Sequence, residues 1–593
     1  MPLFYTFSII SRVERLILSD STHSSTTISI KFEGDDLSCD AGDTIASALT
    51  GNRVTWLKTR SDGSRRGLFC GMGVCQDCLV TVDGRHRQRA CLTVVQDGMS
   101  VARDIPFAPL TALTAENVSK STKAEPEVLV IGGGPAGLMA ATTAAEAGAE
   151  VVLLDERPAV GGQYYKQPKV PHRLPGGMLE QKQFRDGAEL ARRARAAGVT
   201  VHSNALVWGV FERGSFATQV DGGACLFRPG RTIIATGAYE RAVAFPGWTL
   251  PGVMTTGAAQ TLLRSYGTLP GQRVFVGGNG PLNYQVALEL HKAGAEVVAV
   301  VESSRGVGVT TFSSAIRMLI ADFGLTAAGM RLRYDLAAAG IPLKTSSAIA
   351  AVDEVEGGLR VRFGRADANG VRADESIEVD AVCMGYGFLP NNELMRLAGC
   401  RHKFDAERRT LLTERNVNCE TSIPGMYAVG DCCGLGGAHA AMEEAKIAAS
   451  HAVQSLGKTV SMDTHRSAGR RLQQHRKFQS ALWTLFDAPR HADELAQADT
   501  LVCRCEGVTL GQLDDAIAAG HRSLRAVKQC TRIGMGNCQG RYCVSLAAAR
   551  LRRTGNFDDD EFAFLAPRMP LKPVSIADVA MLATSNPAAD DAG

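Results

Sequence analysis

The sequence lacks any long hydrophobic run, and no apolar stretch approaches the roughly 18 residues of a membrane-spanning helix. It also lacks a large net charge, because 64 lysines and arginines nearly balance 61 aspartates and glutamates. Such a balance argues against nucleic-acid binding. The first ten residues lack the basic segment of a signal peptide. These absences predict a cytoplasmic protein, or one held at the inner membrane only through a complex.

Glycine and cysteine, in contrast, are plentiful, with 62 and 16 of the 593 residues. A chain of this length is expected to form several domains. Eight of the cysteines fall into two tight groups, one near each end of the sequence. Without a secretory signal, cysteines at short spacings indicate metal or cluster ligands rather than disulfides.

The first cysteine group lies in a short β-rich segment and has the spacing C-x4-C-x2-C…C, which is the plant-type [2Fe–2S] arrangement. A loop with three thiolates and a fourth from a later segment can surround a diiron cluster. The alternatives are a structural zinc site or buried free thiols. The predicted ligands are Cys70, Cys75, Cys78 and Cys91. The segment resembles the small ferredoxin-like domain of sarcosine oxidase α-subunits.

A glycine motif near residue 130 has the features of a dinucleotide-binding βαβ unit. An apolar run ends in Gly132-x-Gly134-x-x-Gly137, an alanine-rich helical pattern follows, and a second apolar run ends on an acid. The glycines permit a tight turn, close approach of a pyrophosphate and close helix–strand packing. The amides at the helix N-terminus would bind the phosphates. The predicted site residues are Gly132, Gly134, Pro135, Ala136, Gly137, Asp155 and Glu156.

Three further motifs identify the dinucleotide. The paired glycine Gly161-Gly162 with Gln163 after it, the Ala235-Thr236-Gly237 strand end and the Gly430-Asp431 strand end follow the fingerprint in order. This order resembles that of the two-dinucleotide-domain flavoproteins related to glutathione and thioredoxin reductases, over about residues 126–455. The resemblance implies FAD at the first site. It also implies that Asp431 binds the ribityl chain.

A second βαβ candidate lies between the two FAD segments, where this fold places its NAD(P) domain. Gly278 and Gly280 match the first two glycines, and Glu302 ends the second strand. Asn283 replaces the third glycine, so we expect the helix to start further from the phosphates. NAD, another nucleotide such as ATP, and an empty relic site all remain open.

The second cysteine group combines C-x-C with C-x4-C, separated by a pair of predicted helices. It resembles the bacterioferritin-associated-ferredoxin type of [2Fe–2S] domain, with zinc as the alternative. The predicted ligands are Cys503, Cys505, Cys538 and Cys543.

Two expected catalytic features are missing from the flavoprotein segment. Disulfide reductases of this fold carry a C-x4-C or C-x2-C pair, and no such pair stands at either position here. There is also no clear acid–base or nucleophilic set, so the catalytic residues are unknown. His439 lies near the flavin by motif position, but a lone histidine is more often structural.

The predicted fold class is α/β: a glutathione/thioredoxin reductase-like flavoprotein between a β-grasp-like [2Fe–2S] domain and a small α-helical [2Fe–2S] domain. The expected segments are an arm (1–26), the ferredoxin-like domain (27–104), a linker (105–125), the first FAD part (126–250), the inserted nucleotide domain (251–395), the second FAD part (396–458), a helical connector (459–500), the second cluster domain (501–560) and a tail (561–593).

This order resembles the α-subunits of heteromeric amine and imino-acid dehydrogenases, which include opine oxidase, D-hydroxyproline and proline dehydrogenase complexes, hydrogen cyanide synthase and sarcosine oxidase. The resemblance implies an electron-transfer subunit of an oxidoreductase acting on CH–NH or CH–NH₂ groups. Its implied partner is a D-amino-acid-oxidase-like flavoprotein β-subunit, with FMN at the interface, in a heterodimer or larger assembly. The electron acceptor is unknown. The alternatives are a self-contained NAD(P)H-dependent reductase and a non-enzymatic iron–sulfur scaffold.

Overall fold

The computed structural model describes residues 26–105 and 122–583, apart from short gaps at 212–213, 221–222, 307, 309–310, 368–369, 461, 489–493, 556, 558–559 and 562. Nearly all of the predicted arm and most of the predicted linker lie outside the described residues. Among the described helices, none combines the length and the apolar character needed to cross a bilayer.

The N-terminal segment forms a five-stranded mixed sheet that packs on one helix. The strand order is β2-β1-β7-β5-β6, and Ile30, Ile45 and Leu49 are fully buried between sheet and helix. The elements are β1 (Thr27–Phe32), β2 (Asp35–Asp40), α1 (Ile45–Gly51), β3 (Lys58–Thr59), β4 (Arg65–Arg66), β5 (Leu79–Val82), β6 (Arg85–Arg89) and β7 (Ser100–Arg103).

The next segment begins the predicted FAD domain. Its strands β9 and β10 are buried at every residue, as expected where helices cover both faces of a parallel sheet. The elements are β8 (Thr122–Ala124), β9 (Val128–Ile131), α2 (Pro135–Glu146), β10 (Val151–Leu154), a 3₁₀ turn (Pro171–Arg173), α3 (Lys182–Ala196), β11 (Thr200–His202), β12 (Leu206–Phe211), β13 (Ser215–Val220), β14 (Gly223–Phe227), β15 (Arg231–Ile234) and β16 (Ala238–Glu240).

The segment after β16 forms a second parallel sheet, ordered β17-β24-β18-β19-β20, with a three-stranded antiparallel sheet beside it. The elements are β17 (Val253–Thr255), α4 (Thr256–Tyr266), β18 (Arg273–Gly278), α5 (Pro281–Lys292), β19 (Glu296–Glu302), α6 (Phe312–Ala321), α7 (Phe323–Ala338), β20 (Leu343–Thr345), β21 (Ser347–Val355), β22 (Gly358–Asp367), β23 (Gly370–Val379), β24 (Ala381–Gly385) and β25 (Phe388–Pro390).

The chain then returns to the first parallel sheet, which has the order β11-β10-β9-β15-β28. The helix after β28 packs against α2, and the long connector helix packs against both that helix and α6. The elements are α8 (Glu393–Leu397), β26 (His402–Asp405), β27 (Thr410–Thr413), β28 (Met426–Ala428), a 3₁₀ turn (Gly430–Cys432), α9 (Gly437–Gln454) and α10 (Met462–Leu485).

The C-terminal segment is a small helical unit with one two-stranded ribbon. Residues of the predicted tail fold back onto the FAD domain: Leu571 is buried, and the last helix packs on β14. The elements are β29 (Leu501–Cys503), β30 (Val508–Thr509), α11 (Leu510–Ala518), α12 (Leu524–Thr531), α13 (Cys543–Arg552) and α14 (Ile576–Ala583).

Candidate functional site

The first glycine loop has no room for a side chain at the first and third glycines of its fingerprint. A Cβ at Gly132 would lie 2.4 Å from the Ala235 carbonyl oxygen, and one at Gly137 would lie 1.7 Å from the Gly132 carbonyl oxygen. Helix α2 begins at Pro135, directly after Gly134, and no side chain caps it. Its first amides are therefore available to an anion, as a dinucleotide pyrophosphate requires.

We expect Gly137→Ala to weaken flavin retention at least about tenfold, equivalent to 1.4 kcal/mol of binding free energy. The added methyl group must displace the Gly132 carbonyl and with it the loop that faces the pyrophosphate. Flavin per chain, measured by absorbance after gel filtration, tests this. Gly469→Ala on α10 is the matched control, because nothing lies within 4 Å of the added carbon. Equal flavin content in both variants would contradict the prediction.

The two acids after β10 point in different directions. Asp155 accepts from the backbone N–H groups of Gly133 at 2.6 Å and Arg157 at 2.8 Å, so its carboxylate lies against the glycine loop. Burial raises the pKa of Asp155. Glu156 turns away and forms ion pairs with Arg89 and Lys572. Asp155 thus stays the predicted ribose ligand, whereas Glu156 joins three segments of the chain.

The second glycine pair packs directly on the first loop. The Gly161 N–H donates to the Gly133 carbonyl at 2.7 Å, and a Cβ at Gly162 would lie 2.7 Å from the Gly134 Cα. Just beyond Gln163, the buried Lys166 donates to the Gln163 carbonyl at 2.9 Å and to the Gln260 side chain at 2.7 Å. Burial lowers the pKa of Lys166 well below its ordinary value.

The remaining predicted FAD residues lie at the ends of β15 and β28. The Thr236 hydroxyl donates to the Asn391 carbonyl at 2.7 Å, and Ala235 and Gly237 flank it. Asp431 accepts from the amides of Gly436 and Gly437 at 2.9 and 2.8 Å, so it stands where α9 begins. A Cβ at Gly430 would meet Ala136 at 3.4 Å and Ala441 at 3.1 Å, which brings α2 and α9 together.

Two helix N-termini, those of α2 and α9, therefore converge on one site built from both FAD segments. This arrangement fits a ligand with a diphosphate at one end and an electron-accepting ring at the other. The residues present fit a flavin dinucleotide.

A histidine pair lies at the start of α9. His439 Nε2 is 3.5 Å from the Tyr164 hydroxyl, and its ring stacks on that of His475 with centroids 5.5 Å apart. Burial lowers the pKa of both imidazoles. Sequence reasoning found only His439, because His475 belongs to the connector helix and carries no motif.

The N-terminal cage, meaning Cys70, Cys75, Cys78 and Cys91, is buried throughout. The sulfurs lie in two contacting pairs, Cys70 with Cys75 and Cys78 with Cys91. Backbone amides of the glycine-rich loop are directed at the Cys70 sulfur. Gly71 and Gly73 have φ of 60° and 76°, which favours glycine and allows this amide orientation.

The C-terminal cage, meaning Cys503, Cys505, Cys538 and Cys543, repeats the arrangement. Cys503 contacts Cys543, and the sulfurs of Cys505 and Cys538 are 3.3 Å apart. A Cβ at Gly536 would lie 2.2 Å from the Cys505 Cβ, so the loop wraps closely round the sulfur. Two thiolate pairs per cage suit two bridged irons.

The two cages adjoin each other. The Cys505 sulfur lies 3.9 Å from the Cys75 carbonyl oxygen. Arg504, between two C-terminal ligands, pairs with Asp77, between two N-terminal ligands, and both side chains are almost fully buried. Arg504 also donates to the Trp248 carbonyl at 2.8 Å and stacks over the Phe69 ring at 3.9 Å. An ion pair thus fastens one ligand loop to the other.

The N-terminal cage also adjoins the flavin site. Arg89 donates to the Gly73 carbonyl at 3.2 Å and pairs with Glu156, next to Asp155. A Cβ at Gly71 would lie 2.9 Å from the Ala258 Cα, at the start of α4. Sequence reasoning missed Arg89, Arg504 and Asp77 as functional candidates. Arg504 and Asp77 fill unspecified positions of the cysteine motifs, and Arg89 lies two residues before Cys91, so their only sequence signal is their proximity to a cysteine ligand.

Glu240 is the last residue of β16 and lies against the start of α4, where it accepts from the Gly257 N–H at 2.8 Å. Burial raises its pKa from 4.5 to about 7, so the folded protein holds a proton that the unfolded chain releases at lower pH. Wild-type stability therefore falls relative to Glu240→Gln as the pH rises from 4.5 through about 7. We expect the variant to be more stable by about 3 kcal/mol at pH 8 and equal below pH 4.5. Urea unfolding at several pH values tests this, and parallel curves would contradict it.

The second glycine loop retains the features of a nucleotide site. Glu302 accepts from the amides of Gly280 and Ser304, each at 2.9 Å, as Asp155 does at the first loop. The cavity beside it has a volume of about 360 Å³ and is lined in part by Asn279, Ser303, Arg241, Arg408 and Arg552. The Asn279 Oδ1 and Ser303 Oγ atoms are buried without a partner, which fits a polar ligand.

The expected displacement of the second helix is wrong. Helix α5 begins at Pro281, directly after Gly280, just as α2 begins at Pro135 after Gly134. The Asn283 side chain fits because it lies between Gly278 and the neighbouring elements, donating to the Gly385 carbonyl and accepting from the Thr256 hydroxyl, both at 2.9 Å. At the first loop, Gly137 in the equivalent position only allows close packing of helix and strand. Asn283 instead forms hydrogen bonds to the elements beside the second loop.

Family models match three segments of the chain. Residues 126–452 match the pyridine nucleotide-disulphide oxidoreductase family, residues 25–106 a 2Fe-2S iron-sulfur cluster binding domain, and residues 501–553 a BFD-like [2Fe-2S] binding domain.

Three similar proteins support the match. An opine oxidase subunit of Agrobacterium tumefaciens (strain Ach5) is 32% identical, over 77% of this chain and 92% of its own. The hydrogen cyanide synthase subunit HcnB of Pseudomonas aeruginosa is 32% identical, over 75% and 96%. The crystal structure of L-proline dehydrogenase from P. horikoshii aligns with a TM-score of 0.68 at 21% identity, covering 94% and 98%, and supports the fold alone.

The chain belongs to the pyridine nucleotide-disulphide oxidoreductase family, among the flavoprotein subunits that include those of opine oxidase and hydrogen cyanide synthase. It is a flavin oxidoreductase with a [2Fe–2S] domain on either side, which confirms the predicted fold class and the resemblance.

Proposed function

We propose that the chain is the electron-transfer subunit of a heteromeric amine, opine or imino-acid dehydrogenase. It would bind FAD and two [2Fe–2S] clusters and receive electrons collected by a D-amino-acid-oxidase-like flavoprotein subunit. D-Hydroxyproline, proline, glycine and opines are the substrate classes to test. The proposal places the protein in the cytoplasm and assigns FMN, if present, to the subunit interface.

The observation that carries this proposal is the unbroken contact from flavin site to N-terminal cage to C-terminal cage. When bound, FAD takes up two electrons together and releases them singly, and each cluster carries one. The protein's contribution is to hold the three sites against each other. The Arg89–Glu156 pair fixes the N-terminal cage to the strand end beside Asp155, and the Arg504–Asp77 pair fixes the two cages together.

The protein also shields these contacts from water. Phe69 and Trp248 are almost fully buried, with their ring centroids 5.6 Å apart, and both rings pack against Arg504. Such a dry, closely packed junction favours exchange between fixed centres and limits leakage of electrons to solvent species. The proposed ligands for the clusters are the four cysteines of each cage, and those for FAD are the first glycine loop with its packed glycine pair, Asp155 and Asp431.

A second candidate function is a self-contained NAD(P)H-dependent reductase. Glu302, oriented by two backbone amides, and the unpartnered Asn279 and Ser303 atoms favour a nucleotide at the second loop. In that case NAD(P)H would occupy the arginine-lined cavity. The two functions differ in where the electrons enter.

The deciding experiment compares electron donors for the anaerobic protein. NADH is added to the chain alone, and each candidate substrate is added after mixing the chain with the amine-oxidising flavoprotein subunit. We expect flavin bleaching and cluster reduction only in the second arrangement. Rapid bleaching by NADH alone would favour the reductase. Iron and labile-sulfide contents of about four each per chain would support two clusters. Tightly bound zinc would show that one of the two cages holds zinc instead of a cluster.

A further inference from the structure

Helices α6 and α7 carry an unusual concentration of exposed apolar side chains. Of the 15 large hydrophobic residues that are exposed in the described chain, seven lie on these two helices. On α6 they are Phe312, Ile316, Leu319 and Ile320. On α7 they are Phe323, Met330 and Tyr334. We call this set the α6–α7 face. Contiguous exposed apolar surface marks an interaction site, whereas single exposed residues do not.

The spacing of these residues indicates a face that is covered in the functional state. On α6 the positions follow i, i+4, i+7 and i+8, which is one stripe of a helix. The opposite side of α6 is also apolar, since Met318 packs against Phe478 and Ala481 of the connector helix. A helix that is apolar on both sides belongs in an interior.

The size of the face matches one side of a stable interface. Ile320 is 80% exposed, Phe323 is 70% exposed and Tyr334 is 66% exposed. Given about 150–250 Å² for a fully exposed aromatic side chain, the seven side chains offer on the order of 800 Å², about one partner's share of a standard interface.

The face begins beside the flavin site. Asp322 joins α6 to α7 and lies close enough to His439 and His475 to affect the pKa of each imidazole. The Gln474 side chain, one residue before His475, donates to the Ala321 carbonyl at 2.7 Å. Only the connector helix therefore separates the α6–α7 face from the start of α9, where the predicted flavin ring lies.

The exposed charges argue against pairing with a second copy. Among residues 311–338, the exposed charged side chains are Arg317, Arg331 and Arg333, and Arg331 pairs with Asp335 at 2.7 Å. In a twofold interface each copy would present Arg317 and Arg333 to the same face of the other, and like charges at an interface are unfavourable. A partner with an apolar patch rimmed by acidic side chains would complement this face.

We propose that the α6–α7 face is the docking surface for the amine-oxidising flavoprotein subunit. This inference rests on the proposed function and identifies the surface on which the partner subunit would bind. Docking here brings the donor to the histidine pair at the predicted flavin edge. Electrons would then enter beside the histidine pair and leave through the N-terminal cage.

The test is a double substitution at the two most exposed positions, Ile320→Asp with Phe323→Asp. Val417→Asp is the matched control, because Val417 is 89% exposed and lies outside the face. Each full-length holoprotein is titrated with the amine-oxidising flavoprotein subunit in an analytical ultracentrifuge. We expect association on the order of 30-fold weaker or more for the double variant, as for loss of an interface hot spot, and unchanged for the control.

Two further readouts separate the possible outcomes. Reduction by dithionite should give the same flavin and cluster spectra in all three proteins, which shows that the variant is folded. If the double variant and the wild type bind the flavoprotein partner equally well, the docking proposal is overturned while the proposed function stands. If the wild type alone is a dimer that the substitution dissociates, the face is a contact between copies and the docking proposal is again overturned. If neither the wild type nor the control accepts electrons from the partner, the proposed function and the docking proposal both fail.

Discussion

Cys538→Ala should remove one of the two clusters and leave the other. Cys538 is buried against Cys505 in the C-terminal cage, so its loss leaves one iron with a single protein ligand. We expect iron to fall from about four to about two per chain. The flavin should still be reduced by its donor, but electrons should no longer reach the final cluster. Iron analysis and electron paramagnetic resonance of the reduced protein measure both effects.

Cys530→Ala is the matched control for this prediction. Cys530 lies in the same small domain but is exposed and outside the cage. Its replacement should leave the iron content and the resonance signals unchanged. Loss of iron from Cys530→Ala, or full iron in Cys538→Ala, would show that the ligand set is assigned wrongly.

Arg504→Ala should be the most destabilising single change at the junction between the cages. It leaves the buried Asp77 carboxylate with Lys58, at 3.5 Å, as its remaining ion-pair partner, and breaking a buried pair in this way costs about 3–5 kcal/mol of the free energy of unfolding. The Phe69 and Trp248 rings also lose the guanidinium that stacks on them. Denaturant unfolding followed through the visible circular dichroism of the clusters measures the change.

Arg532→Ala provides the comparison for an exposed arginine of the same domain. Arg532 pairs with Glu506, next to Cys505, but its side chain is 67% exposed, so we expect no more than about 1 kcal/mol. The double variant Asp77→Asn, Arg504→Met should recover part of the loss, because neither member of the Asp77–Arg504 pair then stays buried as a charge without the other. Equal losses of unfolding free energy for Arg504→Ala and Arg532→Ala would mean that the buried pair stabilises the fold no more than an exposed pair does.

Much of the architecture follows from local sequence patterns. Spacing between neighbouring cysteines defines each cage, and strand–glycine–helix order defines both nucleotide loops, because these features depend on residues close together in the chain. Their predicted residues do come together in the structure. The family matches confirm the three domain types.

The contacts between domains could not be predicted in this way. Asp77 and Arg504 are separated by 427 residues, and each looks like an ordinary charged neighbour of a cysteine. Lys572 lies in a segment that composition alone marks as a tail, yet it binds Glu156 from the flavin domain. The prediction that Asn283 displaces a helix start is wrong, because the sequence cannot indicate that its side chain turns toward Gly385.

The Asp77–Arg504 pair also joins the two ends of the chain. The N-terminal domain is synthesised first and contains one cation for its buried carboxylate, Lys58, but the second, Arg504, is added more than 400 residues later. That domain therefore emerges from the ribosome with its cage on an open surface, and the junction closes only after the last domain has been made. The last contact to form in this fold is therefore one between residues from the two ends of the chain.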